Sequence, residues 1–195
     1  MKRVFDILGA LLGIALLAAV TPFVGAAIVL ESGFPVFVAL ERVSGGKRIR
    51  VFKFRSMVRG AHAMKCGLQP LNERKDGPLF KIKNDPRLTR VGKVLRKFRI
   101  DEFPQFVNVL MGDLSMVGPR PHEPGELAQY PKEFKSLSLA RAGLTGLSQV
   151  SGASSLPFKK ELELDKYYVE HRSLLLDASI LFRTVWILFF DPTGV

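Results

Sequence analysis

Between Ile7 and Leu30 the chain reads ILGALLGIALLAAVTPFVGAAIVL, 24 residues without a charge. A membrane-spanning helix needs roughly 20 apolar residues. Pro22 divides this run, leaving helical pieces of about 22 Å and 13 Å, each short of a hydrocarbon core of about 30 Å. Lys2 and Arg3 precede the run, and Arg42, Lys47, Arg48, Arg50, Lys53 and Arg55 follow it. Basic flanks stay on the cytoplasmic side of a membrane. With such flanks at both ends, the pattern predicts a helix that enters the membrane, bends at Thr21-Pro22 and returns. A straight spanning helix with a tolerated proline is the alternative. A cleaved signal peptide fits less well, because its apolar stretch is usually about 7–15 residues.

Beyond Glu31-Ser32-Gly33 the pattern shortens. Pro35 to Leu40 is apolar, Ile49 to Arg55 alternates apolar with basic, and Ser44-Gly45-Gly46-Lys47 lies between them, which predicts a hairpin. Residues 58 to 86 read as a polar excursion with one helix near Met57 to Met64. From Arg87 to Arg99, Leu88, Val91, Leu95 and Phe98 recur at helical spacing and six cations fill other positions. A second helix is expected to open at Pro104 and to stop at Gly112. Gly118-Pro119-Arg120-Pro121 places Met116 to His122 in a loop. Lys159 to Glu170 reads as a helix. Leu174 to Phe190 is apolar but carries Asp177 and Arg183, which are costly at bilayer depth. That favours a helix along the interface or in the core, and Phe182, Trp186, Phe189 and Phe190 suit an interface. The fold expected is mixed α/β, mainly helical, with a small β-hairpin. It divides into a re-entrant membrane helix over 1–34 and a cytosol-facing catalytic domain over 35–195.

The net charge of +11 concentrates the choice of partners. Lys2, Arg3 and Asp6 are the only charges in the first 30 residues, so nearly all of the excess lies beyond the apolar run. Anionic lipid headgroups, nucleotide phosphates and nucleic acid are the partners such a chain attracts. One cysteine, Cys66, precludes an internal disulfide and agrees with a reducing compartment.

Asp101 and Glu102 are the leading chemical candidates. They follow 13 residues that hold six cations and no acid, so both carboxylates are expected to be ionised. They also precede a helix start, where backbone N–H groups favour anions. Such carboxylates can ligate a hard cation such as Mg²⁺ or attack phosphorus. The bland alternative is a surface acid pair that balances a basic helix. In Pro119-Arg120-Pro121 two prolines fix the direction of a guanidinium, whose fork of donors suits phosphate. Lys53 and Arg55 offer further cations. No P-loop or dinucleotide fingerprint occurs. His62, His122 and His171 lack zinc-site spacing.

Together these residues resemble the monotopic phosphoglycosyl transferases, bacterial enzymes that place the first sugar phosphate on a polyprenyl phosphate. The matching runs begin with Lys2-Arg3-x-x-Asp6, Thr21-Pro22, Lys53-Phe54-Arg55-Ser56-Met57 and Asp85-Pro86-Arg87-Leu88-Thr89-Arg90. They continue through Asp101-Glu102-Phe103-Pro104-Gln105, Asn108-Val109, Gly112-Asp113-Leu114-Ser115-Met116-Val117-Gly118-Pro119-Arg120-Pro121, Gly143-Leu144-Thr145-Gly146 and Asp165-x-Tyr167-Tyr168. They cover nearly the whole chain; Thr21 for Ser, Ser44 for Gly and Ala142 for Pro are departures that touch no reactive group. The resemblance implies transfer of sugar 1-phosphate from a UDP-sugar to undecaprenyl phosphate, with release of UMP. It implies Asp101 as nucleophile, Glu102 in metal or proton handling, and Mg²⁺ at Asp101 and Glu102. Arg120, flanked by Pro119 and Pro121, would lie at the nucleotide phosphates; Lys53, Arg55 and Arg87 stand beside it as candidate phosphate-binding cations from the sequence. The kink would fall at Thr21 and Pro22. Membrane lipids are implied partners, nucleic acid is not, and a homodimer is left open. The place implied is the cytoplasmic face of the bacterial inner membrane, in exopolysaccharide or O-antigen synthesis. The competing reading is a non-catalytic membrane adaptor that binds anionic lipids.

Overall fold

A computed structural model describes residues 1–152 and 155–190, with the side chain of Phe189 outside the described set. The chain is mainly helical, with two small two-stranded sheets. Helix α1 runs from Lys2 to Ser32 without a break and contains Pro22. Pro22 removes the donor that would serve the Ala18 carbonyl. The Thr21 hydroxyl bonds the neighbouring Leu17 carbonyl at 2.6 Å, so it supports the proline turn without serving the freed group itself.

Both ends of α1 pack on the same body. At the start, the buried carboxylate of Asp6 accepts the Ser115 hydroxyl at 2.9 Å and the Met116 N–H at 2.8 Å. Lys2 Nζ reaches Asp177 Oδ2 at 2.7 Å. Midway, Gly13 lies so close to Phe106 that a Cβ there would sit 2.3 Å from the ring. At the end, the Glu31 carboxylate accepts the N–H groups of Arg90 and Val91 at 2.7 and 2.9 Å. Those two donors belong to the otherwise unpaired first turn of α2 (Arg90–Lys97). Thr89 caps the same turn, its hydroxyl accepting the Gly92 N–H at 2.8 Å. The opposite face of α1 is bare, with Val4, Leu8, Leu12, Phe23 and Leu30 all exposed. Among the described residues, α1 is the helix long and apolar enough to cross a membrane.

The hairpin forms as the alternation predicts. Strands β1 (Phe37–Ser44) and β2 (Lys47–Phe54) pair antiparallel, with Ser44 opposite Lys47. The turn between them needs left-handed backbone at both central residues, and glycines supply it at φ 58° and 73°. Phe54, Leu17, Ile28 and Leu95 then join into a core shared by the hairpin, α1 and α2. Each such buried side chain contributes about 1.5–3 kcal/mol.

The expected helix over 57–64 is absent, and that stretch holds one 3₁₀ turn at Ala63–Lys65. Gly60 interrupts it with a left-handed backbone, φ 73°, and Met57 is drawn into a bridge with Leu88. Residues 69–86 are stapled instead by Arg74, which bonds Glu161 at 2.5 Å and Asp76 at 3.2 Å. The helix expected from Arg87 begins three residues later, because Arg87 is bound to Asp85 and Leu88 bridges to Met57. Helix α3 (Gln105–Met111) starts at a Pro104 cap and ends at Gly112, φ 91°, as expected. The segment expected as loop contains β3 (Ser115–Val117), which pairs parallel with β4 (Gly143–Thr145). The remaining helices are α4 (Pro124–Ala128), α5 (Leu147–Val150), α6 (Phe158–His171) and α7 (Leu174–Phe190). In α7, Asp177 is buried against Lys2 and Tyr168, and Arg183 bonds the Val150 carbonyl at 3.2 Å. Phe182, Val185, Trp186 and Phe190 are exposed.

Candidate active site

Asp101 and Glu102 sit in a 3₁₀ turn, Ile100–Glu102, between α2 and α3. Arg99 before them holds a left-handed backbone, φ 54°. A non-glycine residue in that region costs of order 1–3 kcal/mol and persists where its surroundings fix it. The turn is fixed by Ile100 and Phe103, which pack on the Phe54–Leu95 core. It aims the two acids at β2, and β2 answers with Lys53. The Lys53 ammonium lies 2.7 Å from Glu102 Oε1 and 3.9 Å from Asp101 Oδ2.

Asn108 holds these parts in register. Its side chain is fully buried; Oδ1 accepts the Phe52 N–H at 2.9 Å and Nδ2 donates to the Arg50 carbonyl at 2.7 Å. It thereby fixes α3, and the acids just before it, to the strand that carries Lys53.

The acids do not share one electrostatic state. Burial raises the pKa of Asp101, Lys53 pulls it back only in part, and the Glu102 charge pushes it up again. Glu102 is also disfavoured by burial, but its ion pair with Lys53, helped by Arg120 and Arg99, overcomes this and holds it down at about 2. The expectation that the surroundings favour both carboxylates as anions holds for Glu102, whereas at Asp101 burial outweighs the cations and shifts the pKa the other way. Of the cations counted along the sequence, Arg87 is taken up by Asp85, whereas Arg96, hydrogen-bonded to the Ser56 hydroxyl at 3.1 Å, still lowers the Asp101 pKa and Arg99 that of Glu102.

Arg120 is exposed between the buried Pro119 and the half-buried Pro121. Its guanidinium charge helps to lower the Glu102 pKa. Its backbone N–H donates to Asp165 Oδ2 at 3.3 Å, and Asp165 Oδ1 accepts the Ser148 hydroxyl at 2.7 Å. Burial raises the Asp165 pKa to about 6. Behind Arg120 lies a cavity of about 10 Å³ lined by His122, Tyr130 and Asp165, room for about one water and too small for a nucleotide. The outer side of Arg120 is open to solvent.

Arg42 is a site neighbour that motif reasoning passed over. It lies 3.4 Å from Glu123, and its charge is felt with those of Glu102 and Arg120. Glu123 also holds Lys65 at 2.8 Å. Two sequence candidates are placed elsewhere. Arg55 is buried at the end of α1, where it donates to the Ser32 hydroxyl and the Gly33 carbonyl. Arg87 forms a bidentate pair with Asp85 and donates to the Ala61 carbonyl. The structure thus gathers Lys53, Asp101, Glu102 and Arg120, and gives Arg55 and Arg87 internal partners.

Among the described residues no group of three or more His, Cys, Asp or Glu side chains gathers for a metal. The donor set at Asp101–Glu102 is two carboxylates, which fits Mg²⁺, an ion commonly held by one or two carboxylates with substrate phosphates and water completing the shell.

A family model described as bacterial sugar transferase matches residues 1–191, nearly the whole length. The chain belongs to the bacterial sugar transferase family. Among curated family members it is 37% identical over 189 residues to a UDP-galactose-lipid carrier transferase of Erwinia amylovora, covering 95% of this chain and 39% of that one. It is 38% identical over 191 residues to a UDP-N-acetylgalactosamine-undecaprenyl-phosphate N-acetylgalactosaminephosphotransferase of Aeromonas hydrophila, covering 94% and 42%. It is 35% identical to the exopolysaccharide production protein ExoY of Sinorhizobium fredii, covering 94% of this chain and 83% of that one. The chain thus spans about two fifths of the length of the first two sugar transferases and most of the third.

Proposed function

We propose that this sugar transferase moves sugar 1-phosphate from a UDP-sugar to undecaprenyl phosphate at the cytoplasmic face of the bacterial inner membrane, in exopolysaccharide or related glycan synthesis. The observation that carries the reading is the acid pair itself: a buried Asp101 beside an ionised Glu102, with Lys53 within 3.9 Å of both. The names of the relatives supply the substrate class.

In this reading an Asp101 carboxylate oxygen attacks the sugar-side phosphorus. The bond from that phosphorus to the bridging oxygen breaks, and UMP leaves. In the second half, a phosphate oxygen of undecaprenyl phosphate attacks the same phosphorus and the bond to Asp101 breaks. Lys53 counteracts the burial that disfavours ionised Asp101. Arg120, rigid between prolines, binds phosphate oxygens and neutralises charge that moves onto the leaving group. Glu102 and Asp101 are the residues that would hold Mg²⁺, which when bound supplies further neutralisation of the diphosphate. Phosphoryl transfer needs positioning and charge more than covalent diversity, and this site offers both.

The membrane part of the proposal is that α1 dips into one leaflet and returns. Its support is that Lys2 and Glu31, at opposite ends of α1, both bind the one body. The bare apolar faces of α1 and α7 would face lipid, leaving the acid pair at headgroup depth. Purified protein incubated with Mg²⁺, polyprenyl phosphate and a panel of UDP-sugars is expected to release UMP with at least one donor. Release with none removes the enzyme reading, and full function of Asp101→Asn favours the adaptor.

A further inference from the structure

A second cavity lies on the other side of the Pro119 turn, away from the acid pair. Its volume is about 360 Å³, within the ~300–1,000 Å³ of small-molecule sites. Lys2, Arg3, Arg141 and Arg172 line it, with Asp6 and Tyr168. Two of the cations are already engaged. Lys2 pairs with Asp177, and Arg3 donates to the Val109 and Leu110 carbonyls, each at 2.7 Å. The Asp6 carboxylate is turned inward to Ser115 and Met116. Arg141 and Arg172 are exposed and form no ion pair among the described residues. The Arg172 charge acts on the Tyr168 hydroxyl in the cavity wall. Arg3 keeps its full charge, because carbonyls bond a guanidinium without neutralising it.

We propose that this cavity receives a phosphate group, and that the phosphate belongs to an anionic lipid headgroup. Resting on the membrane reading above, the cavity opens where α1 begins, beside the exposed Val4 and Leu8. At that position acyl chains lie along α1 while the headgroup meets Arg141 and Arg172. The two guanidinium forks supply the donors that a phosphate takes, while the buried Tyr168 hydroxyl is already bonded to Asp177 and Lys2 and shapes the wall. The site is separate from the reacting carboxylates, so it anchors the protein and holds the Pro119 turn without entering the chemistry.

Calorimetric titration of the full chain in detergent tests this, with two probes: short-chain phosphatidylglycerol below its micelle concentration, and inorganic phosphate. Arg141→Ala/Arg172→Ala removes the two exposed guanidinium groups and leaves the core intact. Lys75→Ala/Lys159→Ala removes the same charge from two other exposed positions. Saturable one-to-one binding of phosphatidylglycerol, weakened at least tenfold by the arginine pair and unchanged by the lysine pair, supports the site. Equally tight binding of inorganic phosphate, lost in the same variant, supports the phosphate site but assigns it to free phosphate. Equal binding by wild type and the arginine variant overturns it. Flotation with neutral phosphatidylcholine vesicles separates this outcome from failure of the membrane reading. The arginine variant still floats if α1 inserts, and the wild type fails to float if it does not.

Discussion

At the residue scale the site depends on Lys53 serving two carboxylates that burial treats differently. Lys53→Met removes the charge that lowers both pKa values. The acid limb of the kcat/KM profile is then expected to move to higher pH, and a profile that falls uniformly without moving would contradict this. Asn108→Leu leaves the Phe52 N–H and the Arg50 carbonyl buried without partners, at about 1–3 kcal/mol. It also frees Lys53 from its register, so kcat should fall together with the melting temperature. Asp165 gives a signed pH effect. Its pKa is about 6 in the folded chain against an ordinary 3.8, so the folded state holds this proton more tightly. Its contribution to stability is then greatest below about pH 4 and declines as pH rises to about 6. Thermal unfolding across that window should show wild type losing stability relative to Asp165→Asn, and parallel curves would refute the assignment. Such differences were out of reach of the sequence. Asp101 and Glu102 are adjacent, and counting the cations before them could not reveal that Arg87 answers Asp85 or that burial weighs differently on the two acids.

At the element scale, α1 and the hairpin illustrate what was legible. Gly45-Gly46 between alternating strands, and Pro104 with Gly112 around seven helical residues, are local signals whose geometry follows from a few neighbouring residues. Longer pairings are not written locally. Asp6 meets Ser115, Glu31 caps α2, and β3 pairs with β4 across the chain. Near Met57 the expected helix is lost to a left-handed Gly60 and to the bridge between Met57 and Leu88, a partner 31 residues away. Packing of α1 on α3 requires the absence of a side chain at Gly13, where a Cβ would sit 2.3 Å from Phe106. Gly13→Val is expected to destabilise by about 1–3 kcal/mol, as overpacked cores do, and an unchanged melting temperature would show that α1 is held elsewhere. Topology is tested by Lys2→Cys and Lys47→Cys, each with Cys66→Ser. An impermeant thiol reagent should label both from the cytoplasmic side, and labelling from opposite sides would establish a crossing helix.

For the whole molecule, a net charge of +11 combines with exposed apolar faces on α1 and α7. In the proposed membrane reading, charge would bring the protein to anionic membrane and burial of the apolar face would keep it there. Membranes washed in about 1 M salt, where the screening length is about 3 Å, should retain the protein until detergent is added. Release by salt alone would reduce the attachment to electrostatics. The account rests on Asp101 as the residue that carries phosphosugar between donor and acceptor. Intact-protein and peptide mass spectrometry after incubation with the active UDP-sugar and Mg²⁺, without polyprenyl phosphate, measures this most directly. The account predicts a phosphosugar adduct on Asp101, stoichiometric with released UMP and absent from Asp101→Asn. UMP release that requires acceptor with no adduct at any residue, or an Asp101→Asn variant that turns over normally, would contradict it.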